Sequence, residues 1–253
     1  MPFLEKKIMK WIIIALLLVA CTDYVEQIDG QIEEYNVCAR AREESSIRTA
    51  DYFVDPDSVV KGTYRDERDG KVYKIVTIGS QTWMAENLNY EVEGSYCNED
   101  NPVYCDKYGR FYTWAAAMDS AGKFSSNGEG CGNGKICAPT YPVRGVCPKG
   151  WHFPSSGEWG TLLSALGRYY YCDSKKNGEC LFNTENAYGF SVLYAGARME
   201  GKYYSAGTFA CFWLSTENSK IRANVITVYP NNGIGPNGAD QKDFGFSVRC
   251  VKD

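Results

Sequence analysis

The sequence predicts an α+β fold: a single disulfide-rich domain with two helices, short antiparallel strands and long loops. Three observations support this prediction. Short runs of β-branched and aromatic residues alternate with turns rich in glycine, asparagine and aspartate, a pattern typical of short strands. Two segments carry clear helix signals and precede most of the strands, which favours the α+β class. Eleven cysteines in 253 residues are far more than a cytosolic protein of this size usually carries.

The predicted strands begin with a hairpin. Residues 62–64 and 71–78 are rich in β-branched and aromatic side chains and flank an Asp- and Gly-containing turn, as expected of two paired strands. A further short strand is predicted at residues 81–85. Later strands are predicted at residues 190–194, 212–215, 223–229 and 244–251.

The two helices are predicted from different signals. Residues 111–121 contain strong helix formers and are followed by Gly122, a common helix stop. The second helix follows Ser155, a good N-cap, and Glu158 three residues later completes a capping box. One apolar face then runs along this helix through Trp159, Leu162, Leu163 and Leu166.

The N-terminus resembles the signal of a bacterial lipoprotein. Three lysines precede an apolar run at residues 11–20, and Cys21 follows at once. This run is a secretory h-region and is too short to span a bilayer. The resemblance implies cleavage of residues 1–20 and lipidation of Cys21, and several acyl chains give stable membrane anchoring. The alternative is a signal anchor that keeps its apolar segment.

We expect an extracytoplasmic, lipid-anchored protein of the outer membrane or cell surface. Thr22, in place of the aspartate associated with inner-membrane retention, favours the outer membrane. Residues 21–61 are polar and acidic and are predicted to form a lipidated spacer, followed by one domain over residues 62–253. A net charge of −4 without a long basic run argues against a nucleic-acid partner. The oligomeric state is not predicted.

The cysteines favour disulfides over a metal site. No spacing matches the C-x2-C pattern of zinc sites, and the chain has one histidine. Three pairs lie close together in glycine- and asparagine-rich loops: Cys97 with Cys105, Cys131 with Cys137, and Cys172 with Cys180. Cys147 and Cys250 then remain as a long-range pair. Cys38 and Cys211 either pair with each other or stay free.

Five stretches carry a resemblance to a known family: IGSQTWMAENLNY (78–90), YGRFYTWAAAMDSAG (108–122), VCPKGWHFPSSGEW (146–159), FWLSTEN (212–218) and GFSVRCVKD (245–253). Together they resemble the Fibrobacter succinogenes major paralogous domain. This family consists of secreted and lipoprotein domains and has no established activity. The pairing of Cys147, at the entrance of the second helix, with Cys250, near the C-terminus, is a feature similar to the C-type lectin-like fold. The mix of two helices with loop-rich strands is similar to that fold as well.

Catalytic and metal-binding chemistry finds little support. His152 is the single histidine, and we expect a structural role for it just ahead of the second helix, with no catalytic residue assigned. Asn231, Asn232, Asn237 and Asp240 offer the oxygen ligands that calcium prefers, but their segment is equally a turn sequence. Calcium is therefore possible but not favoured, and no cofactor is expected.

Loop tyrosines suggest a binding surface, because a tyrosine combines a rigid apolar face with a polar tip. The predicted stacking rings are Tyr170, Tyr203, Tyr204 and Trp213, and the predicted hydrogen-bonding residues are Arg198, Glu217 and Asn218. We expect a non-catalytic binding module for a glycan or a surface protein. The alternatives are a polysaccharide-active enzyme and a purely structural envelope protein.

Overall fold

A computed structural model describes residues 54–166, 188–204, 206–230, 233–234 and 238–253. The predictions for the signal peptide, for Cys21, Cys38, Tyr170, Cys172 and Cys180, and for the three asparagines of the calcium alternative lie outside these ranges. Within them, none of the helices combines the length and apolar character that a membrane span requires.

The strands are, in chain order, β1 (Val60–Arg65), β2 (Val72–Ile78), β3 (Gln81–Met84), β4 (Ser95–Tyr96), β5 (Phe111–Tyr112), β6 (Trp151–His152), β7 (Ala197–Met199), β8 (Lys202–Tyr204), β9 (Ala210–Glu217), β10 (Arg222–Tyr229), β11 (Gly233–Ile234), β12 (Gly238–Gln241) and β13 (Val251–Lys252). The α-helices are α1 (Pro102–Tyr108), α2 (Trp114–Ala117) and α3 (Ser156–Ala165), and short 3-10 helices occur at Pro56–Ser58 and Asn98–Asp100. Strands therefore outnumber helices in the described part of a mixed α and β fold.

Two larger sheets organise the fold. The first has the strand order β1-β2-β3-β13-β6, with all neighbours antiparallel. The second is built on β10, which pairs with β9 along one edge and with β11 and β12 along the other. Two small hairpin-like pairs, β4 with β5 and β7 with β8, complete the pattern.

The predicted N-terminal hairpin is confirmed. The N–H of Asp66 donates to Lys71 O at 2.8 Å, and the N–H of Gly70 donates to Asp66 O at 2.7 Å. Gly70 has a φ of +77°, which glycine adopts without steric cost. The described fold begins earlier than residue 62, because the N–H of Val54 already donates to Ala165 O.

The helix predicted at residues 111–121 is wrong in most of its length. Its first two residues form β5, because Tyr112 exchanges backbone hydrogen bonds with Phe246. Helix α2 starts only after the Thr113 cap, and Asp119, with a φ of +56°, lies beyond its end. Helix α1 was not predicted. It begins after Asn101, whose side chain accepts from Val103 N.

The second predicted helix, α3, is confirmed together with its capping box. The Ser155 hydroxyl accepts from Glu158 N, and the Glu158 carboxylate accepts from Ser155 N. This reciprocal pairing satisfies two backbone donors at the helix start. Trp159 and Leu162 on the same helix are buried, as the apolar face predicts.

Two predicted strands are absent or much shorter. Residues 190–194 form no strand, because the carbonyls of Phe190 and Ser191 accept from the buried guanidinium of Arg249. Residues 245–247 make single bridges to three different segments, so only Val251–Lys252 forms a strand at this end. The strands predicted at 212–215 and 223–229 are confirmed within β9 and β10.

The core is rich in aromatic rings and contains one long-range disulfide. Five tryptophans are at most 2 % exposed: Trp83, Trp114, Trp151, Trp159 and Trp213. Cys147 and Cys250 are fully buried and form the predicted bond. The predicted pairs Cys97–Cys105 and Cys131–Cys137 are also present. Cys211 is a buried free thiol among the described residues, while its proposed partner Cys38 lies outside them, so that pairing stays a prediction.

Candidate functional site: a tyrosine–arginine patch

The hairpin of β7 and β8 brings two predicted site residues together. Arg198 in β7 is the register partner of Tyr203 in β8. The guanidinium carbon of Arg198 lies 4.0 Å from the ring centre of Tyr96 in β4 and 5.8 Å from that of Tyr203. Guanidinium groups at such distances are attracted to the ring face. The arginine therefore lies against two aromatic rings.

A fourth residue, Asp100, extends this arrangement. The Tyr203 hydroxyl donates to Asp100 Oδ1. Burial and the hydrogen bond to Asp100 raise the pKa of Tyr203, so its hydroxyl stays protonated at neutral pH. Asp100 and Tyr96 flank Cys97, whose bond to Cys105 holds this loop. We call Tyr96, Asp100, Arg198 and Tyr203 the tyrosine–arginine patch.

The patch is partly open to solvent and has one unpaired donor. Asp100 is exposed, and the three other members are half-buried. The Nε of Arg198 is buried and has no hydrogen-bond partner among the described residues. An unpaired buried donor costs free energy, which an acceptor placed at this nitrogen would recover. Arginine also offers planar, paired donors to oxygen ligands.

Tyr204 is not part of the patch, although it is 39 % exposed. Successive side chains of a strand point to opposite faces, so Tyr204 and Tyr203 face opposite sides of the hairpin. The sequence prediction grouped the two rings together, and the strand geometry separates them.

The prediction of Trp213 as a surface ring is wrong. Its side chain is 0 % exposed, its Nε1 donates to Tyr112 O at 2.9 Å, and its ring centre lies 4.5 Å from that of Phe246. Trp213 belongs to the inner face of β9, where an apolar ring with a satisfied N–H stabilises the core.

Glu217 and Asn218 do not join the patch through any described contact. The Glu217 carboxylate accepts from the buried Lys242 ammonium and from Cys137 N at 3.0 Å, so its hydrogen-bonding capacity is used inside the protein. Asn218 is exposed, and its N–H donates to Arg222 O at the turn between β9 and β10. Glu217 therefore has a structural role, and its role as a ligand contact stays a prediction.

His152 lies between two carboxylates. Its Nδ1 is 2.8 Å from Asp253 Oδ1, and its Nε2 contacts Glu158 Oε1. Burial lowers the pKa of the imidazole, but the hydrogen bonds to Glu158 and Asp253 outweigh burial and raise it above the ordinary value. Because Glu158 also caps α3, His152 connects the start of this helix to Asp253, the residue that follows β13.

Metal binding has no organised site in the ranges that the structure covers. No group of three or more His, Cys, Asp or Glu side chains there is arranged to hold an ion. Asp240, one of the calcium candidates, lies in β12, where burial raises the pKa of its carboxyl despite the opposing effect of Arg222.

The sequence prediction missed Tyr96 and Asp100, which lie about a hundred residues before the β7–β8 hairpin. Neither residue has a distinctive local pattern. A usable signal was their position beside Cys97, since a short disulfide loop holds neighbouring side chains in place.

Comparison with known proteins identifies the family. The family model for the Fibrobacter succinogenes major domain matches residues 76–252, a span that includes the whole tyrosine–arginine patch. Neither the curated proteins nor the solved structures contain a match to the chain. The family match covers well over half of the sequence and agrees with the resemblance of its five motif stretches: the chain belongs to the Fibrobacter succinogenes major domain family.

Proposed function

We propose that this protein is a non-catalytic glycan-binding module and that the tyrosine–arginine patch is its contact surface. The observation that carries the proposal is the stacking of Arg198 against Tyr96, with an unpaired Nε, beside the Tyr203–Asp100 hydrogen bond. The patch thus combines ring faces with donors and an acceptor in one place.

This combination matches the chemistry of a sugar. The C–H face of a sugar ring packs on an aromatic face, and its hydroxyl groups hydrogen-bond to polar tips. Guanidinium and carboxylate groups give the stronger, charge-assisted hydrogen bonds. The Cys97–Cys105 bond and the paired strands of the hairpin support the patch before binding, which lowers the entropy lost on association.

The proposed location follows from the N-terminal signal. A lipid on Cys21 and a spacer after it would hold the domain outside the cytoplasmic membrane, in the outer membrane or at the cell surface. A likeness to C-type lectins is part of this proposal only as an expectation from the sequence, because no solved structure matched. The binding role depends on the patch and not on that likeness.

A glycan array probed with the full chain tests the proposal. We expect Arg198→Ala and Tyr203→Ala to weaken retention of the bound glycan at least about tenfold, the size of a single well-placed contact. Tyr229→Ala serves as the matched control, because Tyr229 is a tyrosine that is 40 % exposed and lies in β10, outside the patch. Retention that is unchanged in both patch variants would falsify the assignment to the patch. Release of reducing sugars would instead favour the polysaccharide-active alternative, and retention of a surface protein without any glycan would favour a protein ligand.

A further inference from the structure

A polar cavity of about 240 Å³ is lined in part by α1. Strand β2, the segment at residues 86–89 and helix α1 form its walls. Its main polar lining residues are Lys71, Tyr73, Glu86, Asn89, Asp106 and Lys107. No residue of the tyrosine–arginine patch lines it.

Two of the lining residues, Asn89 and Tyr73, have hydrogen-bonding capacity that no described residue uses. Asn89 is 9 % exposed, and its Oδ1 is buried with no hydrogen-bond partner in the described structure. The Tyr73 hydroxyl accepts from Asn89 N at 3.1 Å, and no described residue accepts its proton. A buried oxygen without a donor costs about 1–3 kcal/mol. A group that both donates and accepts, such as a hydroxyl, satisfies both atoms.

The wall behind these groups is held firmly. The Asn87 amide donates to Tyr108 O at 2.8 Å and accepts from the buried Arg249 Nε at 3.0 Å. Gly109, with a φ of +76°, packs so closely that a Cβ there would lie 2.7 Å from Asn87 Cβ. The cavity therefore has a preformed back wall, as ligand sites usually do.

The rim carries balanced charge. The rim is here the set of charged lining residues Lys71, Glu86, Asp106 and Lys107, all of which are at least partly exposed. The Lys71 ammonium already donates to Asn89 O at 2.6 Å, and Glu86 lies 3.8 Å from Lys74. With two cations and two anions, the rim favours neither a strongly anionic nor a strongly cationic ligand.

We propose that this cavity binds one small, neutral, polyhydroxylated molecule of monosaccharide size, with a hydroxyl bonded between Asn89 Oδ1 and the Tyr73 hydroxyl. The volume is slightly below the roughly 300–1,000 Å³ of sites for drug-sized ligands. A single sugar ring is therefore about the largest ligand that the cavity holds. Because Asn89 Oδ1 is buried in the unliganded chain, the proposed contact requires the amide to rotate toward the cavity. This site is separate from the patch and does not depend on the proposed function.

Titration of the full chain with free glucose, galactose, xylose and N-acetylglucosamine, followed by saturation-transfer NMR and calorimetry, tests the cavity. We expect at least one of these sugars to bind and to shift the side-chain amide resonance of Asn89. Asn89→Leu and Tyr73→Phe should weaken binding at least about tenfold, while Val103→Ala, on α1 but outside the lining, should leave it unchanged.

Two outcomes overturn the inference: no saturation transfer from any of the four sugars, or equal affinity in Asn89→Leu and the parent chain. The Asn89 resonance shift decides the question in the parent chain even if a variant folds poorly. The patch variant Tyr203→Ala should keep the affinity for the free sugar. Failure of the glycan-binding patch and failure of the cavity are therefore distinguished.

Discussion

Lys242, which is fully buried, donates from Nζ to the Glu217 carboxylate. Three backbone carbonyl oxygens, those of Gly132, Lys135 and Lys220, also lie 3.1–3.2 Å from Nζ and share its remaining N–H donors, and the ammonium lies 4.4 Å from the ring centre of Trp114. Glu217 in turn accepts from Cys137 N. The pair therefore connects the Cys131–Cys137 loop to the end of β9.

Removal of the carboxylate should be strongly destabilising. We expect Glu217→Ala to lower the free energy of unfolding by about 3–5 kcal/mol, because it leaves a buried ammonium without its counter-charge. The double variant Glu217→Leu/Lys242→Met should lose less, since neither charge then remains buried. Denaturant unfolding measures both.

The control for this experiment is Glu67→Ala. Glu67 is an exposed acidic residue, and its loss should change stability by no more than about 0.5 kcal/mol. If Glu217→Ala behaves like this control, the ion pair does not stabilise the fold as argued.

Local signals in the sequence were sufficient for some of these features. Ser155 and Glu158 predict α3 because a capping box is complete within four residues, and the hairpin before Ile78 is predicted from its alternating strands and turn. Short cysteine spacings likewise predict Cys97–Cys105. Each of these features is determined by neighbours in sequence.

Other features depend on partners far along the chain. The sequence around Trp213 does not show that its indole N–H donates to Tyr112 O. The sequence around Phe190 likewise does not show that its carbonyl accepts from Arg249. The candidate site is mixed in the same way: Tyr203 was predicted from its residue type, whereas Tyr96 joins it only through long-range packing.

The contact of His152 with Glu158 and Asp253 should make the stability of the fold depend on pH. The pKa of His152 is raised above 6.5 in the folded chain, so its contribution is complete below about pH 6.5 and is lost as the pH rises through the folded value. For Glu158, burial acts to raise the pKa, but the hydrogen bonds to His152 and Ser155 outweigh it and lower the pKa below 4.5. Its contribution is lost as the pH falls through that lower value.

We therefore expect this contact to stabilise most between about pH 4.5 and pH 6.5, with unfolding free energy declining toward alkaline pH. Since His152 is the only histidine, His152→Gln should flatten the decline around neutral pH. Denaturant titrations between about pH 5 and pH 9 measure it. An equally steep decline in the variant would exclude His152 as its source.

The free thiol should be inert in the native protein. Burial raises the pKa of Cys211 to about 12, with a smaller contribution of the same sign from Asp240, against the lowering effect of the Thr227 hydroxyl. The thiolate is the reactive form, so iodoacetamide at about pH 8 should leave Cys211 unmodified until the chain unfolds. Peptide mapping after labelling with and without denaturant checks this. Rapid modification of Cys211 in the native chain would contradict its burial.

The two disulfides of the core should differ in their effect on stability. Cys147–Cys250 closes a separation of 103 residues, and Cys131–Cys137 closes one of 6. In the chain-entropy model the longer loop stabilises by about 4–5 kcal/mol and the shorter by about 2 kcal/mol. The longer bond also adjoins the first sheet, where Met84 N donates to Cys250 O at 3.0 Å.

We expect Cys147→Ala/Cys250→Ala to lower the free energy of unfolding by roughly twice as much as Cys131→Ala/Cys137→Ala. Both double variants remove two sulfur atoms and one bond, so each is the matched control for the other. Denaturant unfolding of the oxidised chains gives the two values, and full reduction of the parent chain should lower its stability by more than either variant alone. Equal losses from the two variants would show that loop length does not determine the contribution, and local packing around each bond would then account for it.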